Sequence, residues 1–454
     1  MTSNIAMILD GSVLKMLSKL LLPNFLGVSS MPLVIIADVY FISQLGNISL
    51  ASLALVFPFI SLMQMMSAGA IGGATTSSIS RFTGAGLNES ANSAAWHAVI
   101  IAVIFSVFYT VIFVFFPKQV YLSMGGTDLV LNGAIAYSQI AFGGSLFVWL
   151  LYTLSAILRG VGDVIVPARV QITGCFSQIL LAGTLTLGWF GVSSFGILGP
   201  AIAMVISHFF MVLYLFIYIK FKQKNIKLIP YNLNKKSIFD IMKVGAGGLI
   251  NSVTIAGTVA VVTASLSHHG TEALAGYSLG SRLEIIITPL VFGIGSVLTV
   301  SVGINVGAKQ IMRAKKIAWV GATISFFIVG FIGLAVTFYP EVWLNLFQTS
   351  FLSKQFAILY LGIAGPFYCL FAAGQTLYFA SQGLGKILFP VIVGILRLLS
   401  VSLVCYFAIT FSWSINSIFY GVAFGLALTG IGLGLCMTGP DWKVQLSQKK
   451  TLST

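Results

Sequence analysis

The stretch LLLPNFLGVSSMPLVIIADVYFISQLG, residues 20–46, decides how the rest of the chain is interpreted. It is apolar and long enough to cross a bilayer, which takes about 20 helical residues. Pro23 and Pro32 each remove a backbone donor and crowd the preceding turn, so we predict a bent helix. The stretch also carries Asp38, and a charge at mid-membrane costs about 2.5–3.5 kcal/mol even on the lenient insertion scale. We therefore interpret Asp38 as a functional acid; the alternative is an acid at the helix end that reaches water.

The composition excludes a water-soluble fold. Charged residues make up 7% of the chain and hydrophobic residues 58%, and the mean hydropathy is +1.02. Soluble domains carry about 25% charged residues. We therefore predict an all-α, polytopic membrane protein, and the 454 residues leave room for about twelve spans. The net charge of +14 would suggest a nucleic-acid partner in a soluble protein, but cytoplasmic loops of membrane proteins collect Lys and Arg, so no nucleic acid is expected.

The apolar runs and the basic residues together predict a topology. The predicted spans are 14–41, 49–76, 92–116, 131–156, 166–189, 196–219, 238–264, 272–303, 314–338, 354–381, 388–410 and 413–437. With twelve spans both termini lie on one side, and that side holds 20 of the 24 Lys and Arg residues. Among them are Lys443, Lys449 and Lys450 near the C-terminus. The asymmetry predicts a cytoplasmic-membrane protein with both termini in the cytoplasm.

A polar linker at the midpoint of the chain suggests a repeat. The segment KFKQKNIKLIPYNLNKK runs from Lys220 to Lys236. An offset of 224 aligns GNISLASLAL from Gly46 with GTEALAGYSL from Gly270. An offset of 223 aligns RGVGDVIVP (159–167) with QGLGKILFP (382–390), so that both glycines and the proline coincide. We predict two six-helix bundles, residues 12–219 and 238–438, joined by a cytoplasmic linker at 220–237 and related as a parallel pseudo-repeat.

The sequence gives little indication of enzymatic activity. The four cysteines show no CxxC spacing, and no histidine lies in an HExxH motif. No GxSxG motif appears either. We therefore expect no enzymatic activity, no metal site and no cofactor beyond a coupling H⁺ or Na⁺.

Eight of the ten acids lie in tails, in loops or at span ends, and only Asp38 and Glu284 lie inside predicted spans. Both are candidate cation-coupling residues, although Glu284 could equally form a structural ion pair. Arg282 lies two residues away, a spacing that does not place the pair on one helix face. Other polar side chains within spans either line a substrate cavity or form hydrogen bonds between helices, and we give the two interpretations equal weight; they are Gln64, Gln139, Gln171, Gln178, Asn251 and Gln375. The possible cavity-lining residues that we select are Gln64, Gln178, Asn251, Tyr277 and Gln375.

Five motifs in order resemble a known family. They are the D-x-x-F pattern before LG at 38–46, RFTGAG at 81–86, RGVGDVIVP at 159–167, FGILGPAIA at 195–203 and GTEALAGYSLGSRLE at 270–284. Each is weak alone, but together they resemble the multidrug and toxic compound extrusion (MATE) transporters, with most similarity to the DNA-damage-inducible branch. The resemblance covers residues 12–437.

The resemblance implies a V-shaped pair of six-helix bundles that alternates access and exchanges amphipathic, often cationic, compounds for protons or sodium ions. Asp38 stands at the position of the coupling acid, and Pro23 matches the proline at which the first helix bends. The chain departs from the family in span five, where Gln178 and Ala182 replace an Asn and an Asp. With one acid left in the first half, we favour proton coupling over sodium coupling.

We therefore predict a monomeric antiporter in the lipid bilayer that exports small amphipathic or cationic drugs. The alternatives are a lipid-linked saccharide flippase of the same superfamily, a polytopic lipid-modifying enzyme and a channel. The flippases commonly have fourteen spans and more cationic cavities, and the enzyme would need a cluster of acids or histidines that the sequence lacks.

Overall fold

The computed structural model describes residues 3–347 and 349–442, and those residues form helices and the turns between them. Lys443, Lys449 and Lys450 of the predicted cytoplasmic tail lie outside the described residues. The helices are α1 (Ser3–Asp10), α2 (Val13–Ser43), α3 (Asn47–Gln64), α4 (Gly72–Gly84), α5 (Asn88–Thr110), α6 (Pro117–Ser123), α7 (Asp128–Gly143), α8 (Ser145–Gly160), α9 (Ile165–Leu187), α10 (Leu198–Phe221), α11 (Lys235–Ser267), α12 (Thr271–Ser281), α13 (Glu284–Gly307), α14 (Ile311–Phe338), α15 (Pro340–Leu344), α16 (Phe351–Ala364), α17 (Tyr368–Leu384), α18 (Leu388–Thr410) and α19 (Ile415–Cys436).

The predicted all-α membrane fold is confirmed. In the described part of the chain, eleven helical segments are long and apolar enough to cross a membrane. A twelfth is formed if the bent pair α7 and α8 counts as one span. Large apolar side chains such as Leu22, Phe210 and Phe331 are exposed on these segments. Lipid can cover such side chains as well as protein can, so they are expected on a membrane protein's outer surface.

Several departures from regular α-helix were not predicted, and two of them lie in predicted spans 131–156 and 49–76. Predicted span 131–156 is not one straight helix, because α7 and α8 meet at an angle of 43°. The break falls at Gly143 and Gly144, and paired glycines are a common cause of sharp kinks. The second departure is a π-helical segment, Met65–Ile71, which continues α3 into α4. Such segments are rare and occur often at functional sites.

The chain divides into two units, each with its own helical core. One contains Lys19–Gly248, and the other contains the residues up to Ser18 together with those from Leu249 onward. The N-terminal unit buries large side chains such as Trp149 and Phe142, and the C-terminal unit buries Tyr360, Tyr368 and Phe419. This division does not test the exact residue limits that the sequence predicts for the two bundles and for the linker between them.

The linker predicted at 220–237 is bound to the N-terminal unit through its backbone. The amide of Lys227 donates to Asn92 Oδ1 at 2.8 Å, and the amide of Asn234 donates to His97 Nε2 at 2.9 Å. His97 can accept at Nε2 because its Nδ1 bonds the carbonyl of Ser93 at 2.6 Å. The polar stretch is therefore held along the start of α5.

The short helix α1 is held at its C-terminal end by residues of the C-terminal unit. The carbonyl of Ile8 accepts from Arg313 Nε at 3.1 Å and from Asn305 Nδ2 at 3.3 Å. Arg313 also donates to the carbonyl of Gly11. The last carbonyls of a helix lack intrahelical partners and carry partial negative charge, so a guanidinium stabilises them.

Candidate functional site: two repeat-related cavities

The N-terminal unit contains a cavity of about 730 Å³ lined by one face of each of several helices. Helix α2 contributes Met31, Val34, Ile35 and Asp38, the i, i+3, i+4, i+7 spacing of a single helix face. Helix α9 contributes Gln171, Cys175 and Gln178, and α10 contributes Met204, His208 and Met211, each at i, i+4, i+7. The rest of the lining is Ser30, Val39, Leu53, Phe57, Ile60, Gln64, Tyr137, Leu151 and Tyr152.

Asp38 is the one acid among the described residues that line this cavity. Its side chain is half-buried. Its Oδ1 atom is inaccessible to solvent and has no hydrogen-bond partner in the described part of the chain. Burying a polar group without a partner costs free energy, and burying a charge costs more. The protein therefore leaves this oxygen to be satisfied by a proton or by a bound cation.

Other polar groups of the cavity are fixed in place. His208 is buried, and its Nδ1 bonds the carbonyl of Met204 at 2.8 Å. The Tyr152 hydroxyl donates to Met31 Sδ at 3.0 Å, and the Cys175 thiol donates to the carbonyl of Ser30 at 3.0 Å. Methionine sulfur, aromatic rings and amides thus surround a single carboxylate, a lining that suits adaptable binding of organic molecules.

The C-terminal unit has a second cavity, of about 420 Å³. Its polar lining is Thr258, Tyr277, Glu284 and Arg397. Its apolar lining is Ile255, Val259, Val262, Phe371, Val422 and Leu426, with Gly425. Glu284 and Arg397 therefore share one cavity, whereas Arg282 lies 5.7 Å from the Phe347 ring, in a cation–π contact.

The two cavities are lined by repeat-equivalent positions. Adding the offset of 224 to Met31, Val34, Ile35, Asp38, Leu53 and Ile60 gives Ile255, Thr258, Val259, Val262, Tyr277 and Glu284, and all twelve residues line the cavity of their own unit. The turns agree as well, since Gly46 and Gly270 both adopt left-handed φ values, 99° and 97°. The same backbone frame thus builds both cavities. The acid of the N-terminal cavity, Asp38, lies on α2, and the acid of the C-terminal cavity, Glu284, lies on α13.

The structure separates the predicted polar residues into three groups. Gln64 and Gln178 line the N-terminal cavity with Asp38, and Tyr277 lines the C-terminal cavity with Glu284. Asn251 and Gln375 instead bond each other, with Asn251 Nδ2 donating to Gln375 Oε1 at 3.5 Å. Pro23 lies in the middle of α2, which continues through it.

Several lining residues were missed by reasoning from the sequence. His208, Tyr137 and Tyr152 line the Asp38 cavity but were not among the predicted site residues. Gln171 was considered as a polar side chain within a span but not selected, although Gln171 and Gln178 lie seven residues apart on one face of α9. Met31, Met204 and Met211 supply the methionine side chains of the lining.

Two repeated helical units, each with a partly polar cavity within its membrane helices, define a secondary transporter built from parallel repeats. A family model described as MatE matches residues 23–184 and 249–407, one segment in each half. The chain belongs to this family, the multidrug and toxic compound extrusion transporters, and is therefore a transporter rather than an enzyme.

Individual relatives are distant but cover most of the chain. A probable multidrug resistance protein, YoeA, of Bacillus subtilis is 23% identical over 81% of this chain and 80% of its own length. A probable multidrug resistance protein, NorM, of Thermotoga maritima is 24% identical over 79% of this chain and 77% of its own length. The solved structure of a MOP superfamily transporter from Pyrococcus furiosus has a TM-score of 0.88 at 21% identity, covering 96% of this chain and 97% of that one.

Proposed function

We propose that the chain is a secondary antiporter that exports amphipathic, cationic compounds in exchange for protons bound at Asp38. The observation that carries this proposal is the unpartnered Oδ1 of Asp38 in a cavity of amides, aromatic rings and methionines. Relatives named as multidrug resistance proteins support the substrate class. They do not favour the flippase or the lipid-modifying enzyme.

The cavity supplies two kinds of interaction for an organic cation. Deprotonated Asp38 attracts the positive charge, and this attraction is strong because little water screens it. Phe57 and Tyr137 present aromatic rings, and Met31, Met204 and Met211 present polarisable, adaptable side chains. A substrate that is both apolar and cationic therefore binds better than one that is only apolar or only charged.

Proton binding reverses this preference. A proton entering from outside neutralises Asp38 and removes the attraction for the bound cation, so the cation is released outward. Loss of that proton to the cytoplasm then restores the site. A ligand can shift a conformational equilibrium only as far as it binds the two states differently, and Asp38 provides the difference. We propose that α2 rearranges about Pro23, where the missing amide has already removed one bond from the helix ladder.

A proton site needs fewer ligand atoms from this cavity than a sodium site does. A sodium ion needs several hard oxygen ligands together, whereas a proton needs one carboxylate. Among the described residues that line the cavity, Asp38 is the one carboxylate.

Reconstituted proteoliposomes test the proposal. The full-length protein is expected to move a fluorescent organic cation when a proton gradient is imposed, and not when a sodium gradient of equal size replaces it. Asp38→Asn keeps the shape of the side chain but cannot exchange a proton, so proton-driven transport is expected to fall at least tenfold. Folding of the variant is checked by its helical circular dichroism and its elution from a sizing column.

Glu284→Gln is the matched comparison, since it neutralises the acid of the other cavity. If Glu284→Gln abolishes proton-driven transport while Asp38→Asn transports like the parent, coupling resides in the C-terminal cavity and the Asp38 mechanism is wrong. Transport under a sodium gradient alone would instead contradict the choice of ion.

We also propose that the protein works as a monomer in the cytoplasmic membrane. Each cavity is lined wholly by residues of one unit of this chain, so no second copy is needed to complete it. Light scattering of the purified protein, corrected for bound detergent, measures the mass of the polypeptide directly. A mass twice that of the chain, together with transport lost on dilution, would contradict the proposal.

A further inference from the structure

The C-terminal cavity contains a buried cation that the export mechanism does not use. The side chain of Arg397 lines the cavity and is 3% exposed. One nitrogen, Nη2, donates to Thr254 Oγ1 at 3.3 Å, while Nε has no hydrogen-bond partner in the described part of the chain. A buried guanidinium with an unused donor is costly, because the charge has left water without full compensation. A ligand anion would provide that compensation.

The same cavity also contains a carboxylate, Glu284. The Tyr368 hydroxyl donates to Glu284 Oε1 at 3.5 Å, a long bond that leaves most of the acceptor capacity free. Within residues 3–347 and 349–442, the one Lys or Arg ion pair shorter than 4.0 Å is Arg81–Asp240. Glu284 and Arg397 therefore line one cavity without an ion pair shorter than 4.0 Å between them, and their opposite charges face the same space.

We propose that this cavity is a second ligand site, and that it takes a small zwitterion with an apolar body. A carboxylate or phosphate of the ligand pairs with Arg397, and an ammonium of the ligand pairs with Glu284. The apolar body lies against the wall formed by Val262, Val422 and Leu426.

Charge complementarity favours the zwitterion over ligands of one sign. A ligand that is only cationic is attracted by Glu284 but repelled by Arg397. A ligand that is only anionic is attracted by Arg397 but repelled by Glu284. Electrostatic complementarity decides specificity through such penalties as much as through attraction. The N-terminal cavity, with Asp38 and no lining Arg or Lys among its described residues, lacks this selectivity.

Three probes that share a phenylethyl body separate these possibilities. L-phenylalanine carries both charges, phenethylamine lacks the carboxylate, and 3-phenylpropanoate lacks the ammonium. Binding of radiolabelled L-phenylalanine is measured on the full-length protein in lipid nanodiscs, with the three unlabelled compounds as competitors. No ion gradient is needed, so the result does not depend on whether transport by the Asp38 cavity is proton-driven. L-phenylalanine is expected to compete at a concentration at least about tenfold lower than either analogue, since each analogue loses one charged hydrogen-bonding partner.

Variants assign the binding to particular residues. Arg397→Gln is expected to remove the preference for L-phenylalanine over phenethylamine, and Glu284→Gln the preference over 3-phenylpropanoate. If either buried variant fails to fold, Val259→Phe replaces it, because Val259 lines the cavity but is 37% exposed, which gives the larger ring room to fit. Val259→Phe is expected to weaken L-phenylalanine binding at least about tenfold by filling the site.

Ile35→Phe is the matched control, since Ile35 is the repeat equivalent of Val259 and lines the other cavity. It is expected to leave L-phenylalanine binding within twofold of the parent. The proposal is overturned if no saturable binding is found, if phenethylamine or 3-phenylpropanoate competes as well as L-phenylalanine, or if Ile35→Phe weakens binding and Val259→Phe does not.

Discussion

Asp38 and Glu284 both line a cavity, but their carboxylates have different surroundings. Asp38 Oδ1 has no bonding partner in the described residues, whereas Glu284 accepts from Tyr368 and shares its cavity with Arg397. A carboxylate without partners must gain a proton or a cation to be satisfied. A carboxylate that shares its cavity with a fixed cation instead forms, together with that cation, a site that carries both charges. We therefore propose separate roles for the two acids, exchange of a proton for Asp38 and ligand recognition for Glu284.

A third acid, Asp240, has a structural role in the N-terminal unit. Its Oδ2 accepts from Arg81 Nη2 at 2.6 Å and from the Ser78 hydroxyl at 2.7 Å, which joins α11 to the last turn of α4. The side chains are 17% and 37% exposed, so solvent weakens the pair. Asp240→Asn is expected to cost about 1 kcal/mol of stability, seen as a lower thermal unfolding midpoint in detergent.

Asp10→Asn is the control for this prediction, because it removes the same charge from an exposed position at the end of α1. Its unfolding midpoint is expected to stay near that of the parent. Equal midpoints for Asp240→Asn and Asp10→Asn would show that the pair with Arg81 adds nothing to stability.

At the scale of elements, glycine sets how closely α11 approaches its neighbours. A Cβ atom added to Gly248 would lie 2.8 Å from Ala70 Cα, in the π-helical segment Met65–Ile71. Small residues at such crossings let membrane helices pack backbone against backbone. The unit boundary follows directly after Gly248, so the first part of α11 belongs to the N-terminal unit through this contact and through Asp240.

Gly248→Ala should therefore be destabilising although alanine is a better helix former. The added methyl group meets backbone, which cannot move aside as a side chain can, so we expect a loss of about 1–3 kcal/mol. Gly257→Ala on the same helix is the matched variant. Its Cβ would lie 3.4 Å from the side chain of Leu398, an ordinary contact, so the substitution is expected to be neutral or slightly stabilising. Thermal unfolding of both variants in detergent compares them, and equal midpoints would contradict the close-packing argument.

At the scale of the whole molecule, hydropathy predicted the membrane spans and the sequence offsets predicted a repeat. Asp38, Gln64 and Gln178 could each be placed within a span, but they lie on three different helices, so helical spacing alone could not bring them to one cavity. The π-helical segment at 65–71 and the bend between α7 and α8 were not predictable, since both depend on packing between helices. The pairing of Asp240 with Arg81 was missed for the same reason: its partners are 159 residues apart.

The orientation of the molecule in the membrane is a prediction from charge alone. Lys224 lies in the predicted cytoplasmic linker and Lys118 in a predicted external loop, and both side chains are exposed. Each is changed to cysteine in a background where the native Cys175, Cys369, Cys405 and Cys436 are replaced by alanine. A membrane-impermeant maleimide is expected to label Lys118→Cys in intact cells and Lys224→Cys only after the membrane is permeabilised, because basic loops are retained in the cytoplasm. The opposite pattern would invert the topology, and the proton that neutralises Asp38 would then enter from the wrong side for export.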